Sequence, residues 1–277
     1  MILVTGATGN VGSELARILV AAGEPVRGLI RDDSRRARLP DGVEGLVGDL
    51  NDPDSLGPAL HGVRGVHLLA GYAGLPTALE RMRAAGVERV TLQSSSAVPN
   101  GDTTNAVARY HIESEAAIRA SGLRWTFLQP NGFMSNALEW AEPVRRGDVV
   151  RVAFAGVRTA QIDPHDIAAV AALALTTGSL DGRALRLSGP ESLVAAERVA
   201  ILGSVLGRDL RLEAQSDEDA RAEMSASMPA EYVDAFFRFF VDGTLDESAV
   251  LPTVEEVLGR PPRTFRAWAE EHADAFR

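Results

Sequence analysis

The sequence predicts a doubly wound α/β fold, in which helices cover both faces of a parallel β-sheet. In the first half of the chain, short apolar runs typical of strands alternate with amphipathic helical patterns. A glycine-rich turn, Gly6-Ala7-Thr8-Gly9-Asn10-Val11-Gly12, connects the first of these strands to the first helix. Because helices separate the strands, we expect the strands to pair in parallel through right-handed crossovers.

Six strands and four helices are predicted before residue 131. The first strand covers residues 1–5, and the first helix covers residues 11–22 with Gly23 just beyond its end. The other strands are predicted at residues 25–30, 43–47, 66–70, 89–93 and 124–128. The other helices are predicted at residues 53–60, 78–85 and 105–121.

The regular alternation weakens after Pro130. Strands are predicted at residues 159–162, 184–187 and 210–213, and helices at residues 167–176, 193–206, 218–225, 230–240 and 264–276. We therefore divide the chain into a doubly wound domain at residues 1–130 and a smaller α+β cap region at residues 131–277. Strands of the second region are free to return to the main sheet.

The composition excludes several kinds of chemistry. The chain has 277 residues and a formal net charge of −10 without a basic block, so we expect no nucleic-acid partner. It contains no Cys and no Lys, which excludes thiolate nucleophiles, Cys-ligated zinc and lysine Schiff bases. No apolar run reaches the roughly 20 residues of a membrane helix, and no signal segment opens the chain. We expect a cytoplasmic protein with no membrane partner and no metal site.

The glycine-rich turn predicts a dinucleotide site, because it follows a strand and opens a helix. Gly6 permits the sharp turn, Gly9 lets the backbone approach a pyrophosphate, and Gly12 lets the helix pack closely on the strand. The pyrophosphate then lies at the positive end of the helix dipole. Such turns also close α/β units that bind no nucleotide. The predicted contacts of this turn are Gly6, Thr8, Gly9, Asn10, Val11 and Gly12.

The residue after the second strand predicts which cofactor binds. About twenty residues past such a turn, NAD proteins place an Asp or Glu that binds the ribose 2′-hydroxyl. Here Arg31 lies nineteen residues after Gly12, and a guanidinium pairs well with a 2′-phosphate. We therefore predict NADP, bound as NADPH. The alternative is that Arg31 is a solvated surface residue beside Asp32.

Four further residues are predicted to contact the cofactor from the ends of other strands. Asp49, with Leu50 beside it, follows the third strand and either accepts a hydrogen bond from the adenine amino group or caps a turn. Ala70 ends the fourth strand and Ser94 follows the fifth. Both lie at the carboxyl edge of the sheet, where open α/β sheets bind ligands.

These motifs resemble the NmrA-like group of atypical short-chain dehydrogenases. The similarity runs through the glycine-rich turn, Arg31, Gly48-Asp49-Leu50, SGLRWTFLQPNGFM at residues 121–134 and DPHDIA at residues 163–168. It spans roughly residues 1–175. The resemblance implies a Rossmann-type domain, a smaller C-terminal substrate domain and a preference for NADP. Members include NADPH-dependent quinone reductases, isoflavone-type enone reductases and cofactor-sensing regulators without known turnover.

The resemblance also identifies candidate catalytic residues. Classical members of the superfamily use Ser, Tyr and Lys, with the Tyr four residues before the Lys, and this chain has no Lys. Isoflavone-type reductases carry a catalytic Lys eleven residues before the glycine that corresponds to Gly122; here that position is His111. His111 would donate a proton near neutral pH or bind the nicotinamide ribose, or else pair with Glu115 on the helix surface. The candidate catalytic residues are His111, Tyr110 and Ser95.

The loop after the sixth strand supplies the candidate substrate contacts, which are Asn131, Phe133 and Met134. Phe133 would stack on a flat ring, or pack inside the cap region. An aromatic segment at residues 232–240 is more typical of a core or a dimer surface than of a substrate pocket. The sequence leaves open whether the protein forms a homodimer.

We expect an NADPH-dependent oxidoreductase that transfers a hydride to a small conjugated carbonyl compound, with an aromatic or quinone-like molecule as its substrate. Two alternatives stay open. One is a non-catalytic NADP-binding regulator that senses redox state, and the other is a ketoreductase or enone reductase of a biosynthetic pathway.

Overall fold

The computed structural model describes all residues, 1–277, and contains two compact units. Unit 1 comprises residues 1–101, 108–130 and 164–186. Unit 2 comprises residues 102–107, 131–163 and 187–277. The segment 164–186 thus joins the unit formed by the first part of the chain.

Nine strands form two sheets. They are β1 (Ile2–Thr5), β2 (Val26–Ile30), β3 (Val43–Val47), β4 (Gly65–Leu69), β5 (Arg89–Gln93), β6 (Arg124–Pro130), β7 (Val149–Val152), β8 (Arg183–Leu187) and β9 (Arg211–Ala214). The larger sheet has the order β3-β2-β1-β4-β5-β6-β8, and its pairings from β3 across to β6 are parallel. This confirms the Rossmann-type fold. The strand order reverses between β1 and β4, which is where such sheets open their ligand crevice.

Eleven α-helices complete the fold. They are α1 (Asn10–Ala21), α2 (Gly57–Leu60), α3 (Leu75–Ala84), α4 (Ala106–Ala120), α5 (Ala141–Arg146), α6 (Pro164–Thr177), α7 (Ala195–Leu206), α8 (Asp217–Ser227), α9 (Ala230–Phe240), α10 (Thr253–Leu258) and α11 (Phe265–Glu271). None of them combines the length and the apolar character needed for a membrane crossing.

Helix α1 shows why these residues form these elements. Its apolar residues recur at helical spacing, and Leu15 and Leu19 are completely buried or nearly so. The helix ends where Gly23 adopts a left-handed backbone with φ of +79°, a conformation that glycine adopts without steric cost. The predicted end of this helix is therefore confirmed to within one residue.

Unit 2 has its own core and its own small sheet. Strands β7 and β9 pair in parallel, with Val149 opposite Arg211. The core gathers around the buried side chains of Phe265, Trp268 and Phe276. A smaller cluster forms around Val233 and the other buried residues on the inner face of α9.

Most predicted elements are confirmed, and the errors fall mainly in unit 2. Strands β3 and β5 and helix α9 have the predicted bounds. The strand predicted at residues 159–162 is wrong, because only isolated bridges form there, from Thr159 to Leu193 and from Ile162 to Phe133. Strand β7 and helices α5 and α10 were not predicted, because four to six residues are too few to show a clear periodicity.

The fully buried His67 of β4 makes the stability of the protein depend on pH. Its Nδ1 lies 2.9 Å from the Thr91 hydroxyl, and burial lowers its pKa from 6.5 to about 4. Between these two values the unfolded chain binds a proton that the folded chain excludes. The free energy of unfolding therefore falls as the pH drops from 6.5 towards 4, by up to about 1.4 kcal/mol per pH unit for this residue.

We expect the substitution His67→Asn to reduce the slope of the unfolding free energy against pH by the equivalent of about one proton. The test is urea unfolding at several pH values between 7 and 4.5, comparing slopes rather than absolute stabilities. His61→Asn, at an exposed position, is the matched control and should keep the wild-type slope. A wild-type slope in His67→Asn would show that His67 is not the titrating group.

Candidate active site

The glycine-rich turn has a geometry that only glycine permits. Gly6 adopts φ of +64°, and the Gly9 N–H donates to the Gly6 carbonyl at 2.9 Å. A Cβ atom built on Gly12 would lie 2.2 Å from that same carbonyl oxygen, far inside contact distance. The first turn of α1 is thereby held directly against the end of β1.

The N-terminus of α1 is open to an anion. Gly9 is the N-cap residue and carries no side chain that could accept from the first N–H groups, and no acidic residue lies in the first turn. Gly9 and Asn10 are exposed, Thr8 is half-buried and Val11 is buried beneath the turn. Since free N–H groups and the helix dipole attract negative charge, the turn fits the pyrophosphate of a dinucleotide.

Arg31 follows β2 directly and has no protein partner. Its side chain is exposed and forms no hydrogen bond or ion pair. The neighbouring Asp32 instead accepts from Ser34 and pairs with Arg35 at 3.3 Å; the Ser34 hydroxyl is the main reason that the pKa of Asp32 is lowered. Arg36 pairs with Asp33 at 2.7 Å. The guanidinium of Arg31 is therefore available to a 2′-phosphate.

Asp49 and Leu50 lie after β3, as predicted. The Asp49 Oδ1 atom accepts from the Asn51 N–H at 2.8 Å, which closes a turn. Leu50 is 2% exposed and belongs to the core of unit 1. The turn contact accounts for one carboxylate oxygen of Asp49, and the adenine contact stays a prediction.

Tyr110 of α4 lies against the end of β4. A Cβ atom on Gly71, the residue after Ala70, would be 3.2 Å from the Tyr110 ring. The Gly71 N–H donates to the Ser114 hydroxyl at 3.1 Å, and that hydroxyl donates to the Tyr110 carbonyl. The end of β4 also contacts the glycine-rich turn, since a Cβ atom on Gly6 would lie 2.8 Å from the Leu69 side chain. Tyr110 therefore lies at the same edge of the sheet as the glycine-rich turn.

His111 lies beside Tyr110, with the two ring centroids 4.3 Å apart. Its Nδ1 atom is buried and makes no hydrogen bond. Burial lowers the pKa of His111 to about 4, so its imidazole is neutral at pH 7. The expected donation from an imidazolium near neutral pH is therefore disfavoured, whereas a neutral imidazole still donates one N–H and accepts at its other nitrogen.

Glu115 does not pair with His111, which sets aside the helix-surface alternative. This carboxylate is fully buried and accepts from the Ser94 hydroxyl at 2.7 Å, the Gln129 amide at 2.8 Å and Arg119 at 3.0 Å. It ties α4 to the ends of β5 and β6. This role was not predicted from the sequence, although the spacing of Glu115 and Arg119 on one helix face was a signal.

The same network distinguishes the two serines that follow β5. The buried Ser94 hydroxyl donates to Glu115, and the Ser94 N–H donates to the Leu128 carbonyl at 2.7 Å, so Ser94 has no hydrogen left to donate to a cofactor. Ser95 is half-buried, and its hydroxyl accepts from the Ala97 N–H at 3.2 Å. The hydroxyl hydrogen of Ser95 therefore remains available to a ligand.

The predicted substrate residues lie at the start of segment 131–163 of unit 2. Asn131 is buried, and its Nδ2 atom donates to the carbonyls of Glu247 at 3.1 Å and Ala160 at 3.3 Å. Glu247, which the sequence analysis missed, also accepts from the Gly132 N–H at 3.1 Å through its carboxylate. These contacts fix the loop through the Nδ2 atom of Asn131, whereas its buried Oδ1 atom has no hydrogen-bond partner, and the substrate contact of Asn131 stays a prediction.

The next two residues of this loop differ in exposure. Phe133 is half-buried and keeps part of its ring accessible. Met134 is 1% exposed, and its N–H donates to the Ile162 carbonyl at 2.9 Å. Phe133 is therefore the member of the predicted set with the most surface to offer a substrate.

Comparison with known proteins gives consistent matches. A family model described as NAD(P)H-binding matches residues 6–177. A (4-alkanoyl-5-oxo-2,5-dihydrofuran-3-yl)methyl phosphate reductase from Streptomyces griseus is 43% identical, covering 100% of this chain and 99% of its own. An NAD(P)H azoreductase from Xenophilus azovorans is 36% identical, with 100% and 99% covered.

Solved structures share the fold along the whole chain. An NADPH-dependent quinone oxidoreductase from Escherichia coli has a TM-score of 0.79 at 22% identity and covers 100% of both chains. A triphenylmethane reductase from Citrobacter sp. has a TM-score of 0.78 at 22% identity, with 98% of this chain and 99% of its own covered.

We expect the substitution Arg31→Ala to weaken NADPH binding about tenfold to a hundredfold, which is the loss of charge-assisted hydrogen bonds to the 2′-phosphate. NADH lacks this phosphate, so its affinity should not change. Dissociation constants for both cofactors are measured by fluorescence titration. Arg35→Ala, which removes an arginine already paired with Asp32, is the matched control. Equal effects on NADPH and NADH would show that Arg31 does not select the cofactor.

Proposed function

The chain belongs to this NAD(P)H-binding family, and we propose that it is an NADPH-dependent reductase of conjugated carbonyl compounds. The observation that carries the cofactor choice is the open N-terminus of α1 behind its glycine turn, together with the unpaired Arg31 after β2. The class of substrate rests on the full-length similarity to named reductases.

The relative with 43% identity favours one class of substrate. Its name describes an unsaturated lactone ring that carries an alkanoyl group and a methyl phosphate. The double bond of such a ring is conjugated to a carbonyl, as in a quinone, and both accept a hydride at an electron-poor carbon. We propose an alkanoyl-substituted unsaturated lactone as the substrate of this chain, ahead of the quinone that the sequence alone suggested.

The cofactor, when bound, supplies the hydride, and the chain's own residues orient the substrate and polarise its carbonyl group. Hydride addition to a conjugated carbonyl leaves negative charge on its oxygen, so hydrogen-bond donors are needed there. We assign this role to the Tyr110 hydroxyl and to the N–H of neutral His111, which lie side by side on α4. The hydroxyl hydrogen of Ser95 is a further donor.

The chain has no lysine that could assist Tyr110, so the site favours substrates that are easily reduced. An electron-poor conjugated ring meets this condition better than an isolated ketone does. The partly accessible ring of Phe133 is a separate candidate for stacking on a flat substrate ring.

Two other functions compete with this proposal. The azoreductase with 36% identity supports an azo compound as the acceptor, whose electron-poor double bond accepts a hydride in the same way. A cofactor-sensing regulator was the alternative from a different class. The names of both full-length relatives favour turnover over sensing.

The experiment measures NADPH oxidation with an alkanoyl-substituted unsaturated lactone bearing a methyl phosphate, a quinone and an azo dye, with NADH run in parallel. We expect the highest kcat/KM for the lactone and a product with two additional hydrogens by mass spectrometry. With the deuteride form of NADPH, one deuterium should be found on a former double-bond carbon. Tight NADPH binding with no turnover on any acceptor would contradict the reductase and favour the regulator.

A further inference from the structure

Gln93 ends β5 with a side-chain amide that makes no hydrogen bond. Its Oε1 atom is buried without a partner, whereas its Nε2 atom, also without a partner, is accessible on this half-buried residue. Two threonines on the same face of the sheet are paired. The Thr91 hydroxyl lies 2.9 Å from the His67 Nδ1 atom, and the Thr126 hydroxyl donates to the Leu180 carbonyl at 2.9 Å. Because an amide buried without a hydrogen bond costs free energy, the unused amide of Gln93 indicates a partner outside the chain.

The register of the sheet places Gln93 close to the glycine-rich turn, within unit 1. Gln93 lies opposite Leu69 of β4. Both residues point to the same face, because the residues before them, Leu92 and Leu68, belong to the core on the other face. The Leu69 side chain in turn contacts the position of a Cβ atom on Gly6. Since neighbouring strands lie about 4.8 Å apart, Gln93 is about one strand spacing beyond this contact.

The strand order indicates which half of the cofactor reaches Gln93. Strand β2, which leads to Arg31, lies on one side of β1, whereas β4 and β5 lie on the other side. With the pyrophosphate at the N-terminus of α1 and the 2′-phosphate at Arg31, the nicotinamide half extends across β4 towards β5. Its carboxamide oxygen accepts hydrogen bonds, and the accessible Nε2 atom of Gln93 has hydrogens to donate.

We propose that the Gln93 amide binds the carboxamide of the nicotinamide ring, with its Nε2–H donating to the carboxamide oxygen. The ring can otherwise turn about the bond that joins it to the ribose. A hydrogen bond to its carboxamide therefore fixes which face of the ring is turned towards a substrate. The proposal rests on the binding of a nicotinamide cofactor alone and not on the substrate class proposed above.

The first test separates the two halves of the cofactor. Dissociation constants are measured by calorimetry for NADP⁺ and for adenosine 2′,5′-bisphosphate, which has no nicotinamide half. We expect Gln93→Leu, which removes both polar atoms of the amide, to weaken NADP⁺ binding about threefold to tenfold, the loss of one hydrogen bond. The affinity for the bisphosphate should not change. The Tm of the free protein should not fall, because the substitution removes an amide that pairs with nothing in the chain.

Gln215→Leu is the matched control, because Gln215 is also half-buried but its amide donates to the Glu223 carboxylate at 2.6 Å. It should leave both dissociation constants unchanged. Wild-type NADP⁺ affinity in a folded Gln93→Leu protein would overturn the proposal. Equal losses for NADP⁺ and the bisphosphate would also overturn it, since they would show a general disturbance of the site. Should Gln93→Leu not fold, Gln93→Met is measured in its place and judged by the same outcomes.

The second test identifies the group of the cofactor that Gln93 contacts. Nicotinic acid adenine dinucleotide phosphate carries a carboxylate in place of the carboxamide of NADP⁺. Gln93→Glu brings a second carboxylate against it, so we expect this variant to disfavour the acid relative to NADP⁺ by about tenfold or more compared with the wild type. An unchanged ratio of the two affinities would overturn the contact with the carboxamide. Neither test requires turnover, so a failure of the proposed reductase activity is distinguished from a failure of this proposal.

Discussion

The close approach of α1 to the end of β1 is the constraint on which the rest of unit 1 depends. Gly12 packs against the Gly6 carbonyl at a distance that admits no Cβ atom, and this contact fixes the direction of the helix. The first N–H groups of α1 are left uncapped beside the point where the strand order reverses. A phosphate site therefore follows from the packing of the helix on its strand, before any charged side chain contributes.

A second buried interaction organises the catalytic side of unit 1. Glu115 receives hydrogen bonds from the ends of β5 and β6 and thereby fixes α4, the helix that carries Tyr110 and His111. The packing that fixes α4 also removes His111 from water, which lowers its pKa and keeps its imidazole neutral. A buried carboxylate thus holds the helix of the two uncharged donors that we propose, Tyr110 and His111.

The features that sequence predicted well are local ones. Strand periodicity, the glycine spacing and Arg31 after β2 each depend on neighbouring residues, so they were readable without a structure. Glu115 and Glu247 were missed because most of their partners are distant along the chain. Glu115 and Ser94 are 21 residues apart, and Asn131 and Glu247 are 116 apart. The strand predicted at residues 159–162 failed because its neighbours form single bridges and not a ladder.

Measuring NADPH binding by the variant Gly9→Val tests most directly whether the pyrophosphate binds at the N-terminus of α1. Gly9 is exposed and has an extended backbone, with φ of −98° and ψ of 178°, which a valine can adopt. A Cβ atom there would lie 3.3 Å from the Gly6 carbonyl oxygen, so the turn has to shift slightly, and the valine side chain then covers the N-terminus of α1. We expect a slightly lower Tm and an NADPH affinity lower by about a hundredfold, equivalent to about 3 kcal/mol. Wild-type NADPH affinity in a folded Gly9→Val protein would contradict the placement of the pyrophosphate at this helix.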